Sequence, residues 1–130
     1  MHKGFLRTAS FLAALAVILG AFGAHKLKEL VSETAVVTFD TGVKYQMYHA
    51  LALALTAISY SQFPNKLVKI AGWFFIIGVV LFSCSLYILT VKAALVLPGL
   101  SWAGPITPIG GLFFVAGWIC LGLGIKQKRG

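Results

Sequence analysis

Acidic side chains are almost missing from this chain: three Asp or Glu stand against eleven Lys or Arg in 130 residues. Charge of either sign makes up 11% of the sequence, less than half of the roughly 25% usual in soluble domains. A chain this short buries only about two-thirds of the surface it exposes unfolded. A soluble globule could therefore not hide a composition that is 59% apolar, and a disordered chain would need far less apolar residue than this. Two cysteines, Cys84 and Cys120, are too few for a disulfide framework. Each lies in an apolar run, where a free thiol packs as a small hydrophobe. The net charge of +8 is not the footprint of a nucleic-acid partner, which would gather Lys and Arg on one solvated element. Here they punctuate apolar runs, as loop charges do on a membrane protein. What remains is an integral membrane protein, with membrane lipids as its partners.

Between charges the chain falls into long neutral stretches: Thr8–Ala24 (17 residues), Tyr45–Asn65 (21), Ile70–Val91 (22) and Ala93–Ile125 (33). One helical span takes about 20 residues, within a working range of 17–25, so each of the first three stretches fits one span. Pro98, Gly99, Pro105 and Pro108 break the first half of the fourth, because proline lacks the N–H and disfavours helix before it. The expectation is an all-α, four-helix transmembrane bundle forming a single domain over 1–130, with spans near 5–24, 43–62, 68–91 and 106–125. Lys3, Arg7 and the small residues Gly20–Ala24 also fit a signal peptide; the stretch is read here as a span. Asp40 or Thr41 is the expected N-cap of the second span. Leu27, Leu30 and Val31, set against Lys26, Lys28, Glu29 and Glu33, suggest a short amphipathic helix on the extracytoplasmic surface between the first two spans, although a loop would serve equally.

Even spacing of the spans puts Lys3, Arg7, Lys66, Lys69, Lys126, Lys128 and Arg129 on one side, with no acid. The other side receives Lys26, Lys28, Lys44 and Lys92 together with Glu29, Glu33 and Asp40. The positive-inside bias then places both termini in the cytoplasm of a cell-membrane protein, the inner membrane in a bacterium. Tyr60 and Trp73 would mark the inner interface, and Tyr45, Tyr87 and Trp102 the outer one.

Helices in lipid associate through small residues and polar contacts rather than through leucine burial. Ala16, Gly20 and Ala24 offer such a face on the first span, and Gly110, Gly117 and Gly124 on the last. Packing is the stronger reading of both, although Gly110-Gly111 at a helix opening could also admit a ligand. The polar residues are concentrated: Tyr45, Tyr48, His49 and Thr56 on the second span, Ser83, Tyr87 and Thr90 on the third, His25 closing the first and Thr107 opening the last. Polar groups facing lipid are costly, so His25, Tyr45, Tyr48, His49, Ser83, Tyr87 and Thr107 are expected to turn inward near the outer face, as a hydrogen-bonded cluster or a small polar pocket. Cross-helix bonds that fix register are the stronger reading, since no carboxylate accompanies the histidines within a span.

Catalysis has no complete motif. Ser83 or Ser85 with His49 and Asp40 supplies hydrolase residue types, but no nucleophile elbow frames either serine. His25 and His49 fall short of the three or four ligands of a zinc site. Cys84 and Cys120 would differ in depth by about 10–15 Å at 1.5 Å per residue, too far for a disulfide. No metal and no cofactor is expected.

The motifs Gly20-Ala21-Phe22-Gly23-Ala24-His25, Tyr45 with Tyr48-His49-Ala50-Leu51, Leu81-Phe82-Ser83-Cys84-Ser85-Leu86-Tyr87, Ile106-Thr107-Pro108-Ile109-Gly110-Gly111 and Gly117-Trp118 occur in that order along the chain. In this the sequence resembles the YgdD/YwdK-like small membrane proteins, a bacterial family with eukaryotic relatives and a domain of unknown function. The resemblance spans nearly the whole chain and implies four membrane helices with no assigned activity. In that pattern Gly stands between the two serines, where this chain has Cys84; this speaks against an essential thiol and suggests a tightly packed position. The expected function is a small membrane protein whose outer polar pocket binds a lipid headgroup, a small amphiphile or an ion. The alternative is an accessory subunit that forms a homo-oligomer or docks on another membrane protein through its Gly/Ala faces.

Overall fold

A computed structural model describes residues 1–126, so the expectations for Lys128 and Arg129 lie outside the described residues. Among these residues the chain is helical, with no strand. Four long rods are formed. The first is α1 (Lys3–Ala24), followed by the one-turn helix α2 (Leu27–Leu30); the second is α3 (Glu33–Ser59). The third joins α4 (Lys66–Gly78) to α5 (Cys84–Leu95) through a five-residue π-helical segment, Val79–Ser83, and the fourth is α6 (Ala103–Gly124). Three stretches are long and apolar enough to cross a membrane: Lys3–Ala24, Lys66–Leu95 and Pro98–Gly124. In these stretches the buried share is only 17% for the first and 22% for the last. Most of their apolar surface is thus turned outward, where only lipid would accept it.

α3 departs from the expected 43–62. It starts ten residues earlier, at Glu33, because Ser32 accepts from the Ala35 N–H and caps it. Asp40 and Thr41 are therefore not caps: both lie inside the helix, with Asp40 paired to Lys44 at 2.9 Å and the Thr41 hydroxyl bonded to the Val37 carbonyl. The expected amphipathic segment contracts to α2, whose Leu27 is buried while Leu30 stays exposed. α6 begins at Ala103, so Pro105 falls in the first turn, where the N–H has no helical partner to lose.

Packing follows a rule of glycine against bulk. Gly110, Gly117 and Gly124 of α6 are all buried, and they face Phe82, Phe75 and Val68, which run antiparallel at the same seven-residue spacing. A Cβ on Gly117 would lie 2.8 Å from the Phe75 ring, and one on Gly124 2.6 Å from a Val68 methyl. At Gly110 the opposing atoms are backbone, the Phe82 nitrogen and the Leu81 carbonyl carbon. The α6 stripe is thus consumed within the chain. Phe5 of α1 fits over Gly72, Phe114 over Gly78, Tyr87 over Gly42 and Phe39 over Gly23. On α1, Ala16 is buried, Gly20 half-buried and Ala24 exposed.

Contacts at the rod ends fix which ends lie together. The His2 N–H donates to the Ala57 carbonyl at 3.0 Å. Asn65 caps α4 through its Oδ1 and donates from Nδ2 to the Gly124 carbonyl at 2.8 Å. The start of α1, the turn after α3 and the end of α6 therefore share one end of the molecule, with Lys3, Arg7, Lys66, Lys69 and Lys126.

Candidate functional site

The polar residues of α3, α5 and α6 meet at helix contacts rather than around an open pocket. Gln46 is almost fully buried and ties three rods together. Its Nε2 donates to the Leu12 carbonyl of α1 at 2.8 Å, and its Oε1 accepts from the Tyr87 hydroxyl of α5 at 2.7 Å. One turn earlier on α3, the Gly42 carbonyl accepts from the Ser83 hydroxyl at 2.7 Å, where the π segment gives way to α5. A π segment widens the turn locally, and here the widened turn is the stretch that Gly110 abuts.

His49 is held at both ring nitrogens. The Trp118 indole N–H donates to Nε2 at 3.1 Å, and Nδ1 stands 2.8 Å from the Tyr45 carbonyl. An indole can only donate, so Nε2 is the acceptor and the single proton of the neutral ring sits on Nδ1, bonded to Tyr45. The imidazole stacks on Phe114 at a centroid distance of 3.6 Å. A second proton would point at the Trp118 N–H and break that bond. The geometry is therefore that of a neutral, structural histidine.

Ser85 spends its proton on the Phe82 carbonyl at 2.7 Å and so accepts from the Thr107 hydroxyl, 2.6 Å away. The two serines thus reach opposite neighbours, Ser83 toward α3 and Ser85 toward α6. Cys84 between them faces outward and is exposed, not tightly packed as its position in the motif suggested.

Of the expected cluster, His49, Ser83, Tyr87 and Thr107 are hydrogen-bonded inside the helix contacts, in separate groups. His25 is exposed at the end of α1, makes no side-chain hydrogen bond among the described residues, and does not join them. Tyr45 and Tyr48 are both partly exposed on the surface of α3; the Tyr45 ring lies against Phe82 and Phe114. No buried side-chain polar atom among the described residues lacks a partner, and no three metal-ligating side chains come together there. Sequence reasoning missed Gln46 and Trp118. The available signals were an amide inside the expected second span, next to Tyr45 at the start of its neutral stretch, and an indole within the last expected span rather than at its ends.

Two recesses flank the far end of α1, away from the shared end. On one side, α1, α2, α3 and α5 enclose an apolar groove of about 320 Å³, with Phe22, Leu27, Phe39, Tyr87, Val91 and Leu95 among its walls. Both hydroxyls bordering it are turned away: Tyr87 toward Gln46, and Thr90 onto the Leu86 carbonyl at 2.9 Å. The groove offers no free donor or acceptor from these groups. On the other side, α1, α2 and α3 form a cleft of about 280 Å³ carrying Lys28 and Asp40.

Residues 19–111 match a family model described as "Protein of unknown function (DUF423)". The chain is 42% identical over 120 residues to the UPF0382 membrane protein YwdK of Bacillus subtilis, covering 92% of this chain and 93% of that one. It is 38% identical over 129 residues to a UPF0382 membrane protein of Haemophilus influenzae, covering 99% and 98%. A Staphylococcus haemolyticus relative of the same description is 40% identical over 119 residues, covering 92% of each chain. No solved structure matches the chain significantly.

Proposed function

The chain belongs to the DUF423 family, membrane proteins of unknown function, and from that premise we propose a four-span protein of the cell membrane, both termini cytoplasmic, that holds the hydrocarbon chain of a membrane amphiphile at its extracytoplasmic end. Support for the topology comes from the ends. Lys3, Arg7, Lys66, Lys69 and Lys126 gather at the end tied by His2–Ala57 and Asn65–Gly124, and all three acids belong to the α2–α3 end. That is the charge asymmetry expected of a cytoplasmic and an outer face. In this reading α3 supplies the fourth span, supported by the burial of Gln46, His49 and Thr56 in helix contacts.

The single observation that carries the ligand reading is the groove between α1, α2, α3 and α5. It is concave, it lies at the end opposite the shared basic one, and the hydroxyls beside it are already committed elsewhere. Such a recess rewards an apolar chain and offers an ion or a headgroup nothing. The buried polar residues are braces in this reading, and the protein binds without catalysing. Self-association is the less supported reading, because the α6 glycines are filled from within the chain and only Gly20 and Ala24 of the expected faces stay accessible.

Native mass spectrometry of the full chain released from lipid nanodiscs tests the reading. Wild type is expected to retain a phospholipid that Val91→Trp, which fills the groove, loses, while Leu112→Trp on the outward face of α6 keeps it. Equal retention by all three would overturn the proposal.

A further inference from the structure

We infer that the opposite flank of α1 is a separate site for the headgroup of a zwitterionic phospholipid bearing a primary ammonium: Lys28 receives its phosphate and Glu33 its ammonium. This goes beyond the acyl groove and shares with that reading only the four-span topology. Lys28, with Val36 and Val37, lines both of two adjoining recesses. One, of about 280 Å³, runs down between α1 and α3 past Gly20, Gly23 and Val43; the other, of about 430 Å³, is bounded by Lys28, Val31, Glu33, Val36 and Val37. Small residues on α1 keep the first recess open, and valines on α3 give both an apolar floor.

Charge accounting selects the ligand. At this end Asp40 is paired with Lys44 at 2.9 Å and Glu29 with Lys26 at 3.9 Å. Neither Lys28 nor Glu33 forms an ion pair with another described residue, yet both border the same recess. One free cation and one free carboxylate facing one space complement a ligand that carries both signs. A purely anionic headgroup would satisfy Lys28 and meet repulsion from Glu33.

The apolar floor continuing between α1 and α3 selects a lipid over a water-soluble zwitterion. The kind of ammonium is set by what surrounds Glu33. Quaternary ammonium is held on aromatic faces, and this recess has valines in their place. A carboxylate pairs best with an ammonium that donates N–H bonds, which is the ethanolamine type.

The test uses the full chain in nanodiscs holding equal amounts of ethanolamine, choline and glycerol phospholipids with identical acyl chains. Both leaflets then present every headgroup, so an error in topology does not mimic failure. Lipids retained on the released protein are counted by native mass spectrometry. One exposed ion pair contributes at most about fivefold in affinity, so wild type is expected to retain the ethanolamine lipid by up to about that factor over either of the other two headgroups. Lys28→Ala, which removes the partner of a phosphate that all three lipids carry, should lower the retention of lipid at this site. Glu33→Gln should abolish the preference for the ethanolamine lipid and let the anionic glycerol lipid rise, Lys26→Ala should leave the enrichment unchanged, and the charge swap Lys28→Glu with Glu33→Lys should recover it. Val91→Trp should lower the total lipid count without altering headgroup preference, which separates failure of the groove from failure of this site. Equal retention of the three headgroups by wild type, preference for choline or glycerol lipid, retention unmoved by Lys28→Ala, or enrichment unmoved by Glu33→Gln would each overturn the inference.

Discussion

Replacing Gly110 with alanine should destabilise the protein, whereas the same change one residue on, at Gly111, should not. Both lie in α6, and each gains up to about 1 kcal/mol in helix propensity from the exchange. Their surroundings differ. A methyl on Gly110 would meet the Phe82 amide nitrogen and stand 2.8 Å from both the Leu81 carbonyl carbon and Phe82 Cα. Carbon atoms rest about 3.5–4.0 Å apart, so the rods must separate by about 1 Å. The opposing atoms are backbone, which no rotamer change can move aside. Overpacking of this kind costs about 1–3 kcal/mol, and the shift also strains the Ser85–Thr107 bond beside it. At Gly111 the nearest atoms are 3.9 Å away, in the Phe82 ring, and the propensity gain stands alone. Reversible unfolding in mixed micelles, followed by helical circular dichroism, should place Gly110→Ala about 1–3 kcal/mol below Gly111→Ala. Equal stability of the two variants would refute the close backbone contact between α6 and the π segment.

His49 and Trp118 should behave as a coupled pair: a double-mutant cycle of His49→Phe and Trp118→Phe should give a coupling energy of about 0.6–1.7 kcal/mol, and zero coupling would mean that the bond does not form. Asn65→Ala removes the α4 cap and the tie to Gly124 together and should cost about 1–2 kcal/mol; Asn65→Asp keeps the cap acceptor and loses only the donor, so it should fall between, as read in the same unfolding assay. Tyr87→Phe deletes the donor to Gln46 Oε1 while leaving the ring over Gly42, with an expected loss of about 0.5–1.5 kcal/mol. A loss well above about 1.5 kcal/mol would assign Tyr87 more than this one bond.

Much of the fold was legible because the dominant signal, long neutral runs between basic punctuation, reports directly on what lipid accepts. The glycine spacing of α6 was equally readable: Gly110, Gly117 and Gly124 lie on one stripe whatever they face. What they face was not readable, since nothing local to α6 says that Val68, Phe75 and Phe82 repeat at the same interval on a rod some forty residues away. The start of α3 was misjudged because charge at Glu33 and Asp40 reads as loop, whereas a helix emerging from the membrane carries charge on its wet side without breaking. The candidate site was legible in its residue types and not in its grouping. Depth alone put His25 beside His49, but the turn at α2 leaves His25 outside the contacts, and Gln46, passed over between two tyrosines, holds the centre. The flanking recesses are products of three-helix geometry and have no signature in any one segment.

The account stands on α3 crossing the membrane, and that is measured most directly with single cysteines placed on a background where Cys84 and Cys120 are serine, labelled by a membrane-impermeant maleimide in intact and in permeabilised cells. Lys28→Cys and Ser101→Cys should label in intact cells, and Gln62→Cys and Lys66→Cys only after permeabilisation. Labelling of Gln62→Cys or Lys66→Cys in intact cells alongside Lys28→Cys would leave α3 lying on one surface, and would contradict the proposed four-span topology.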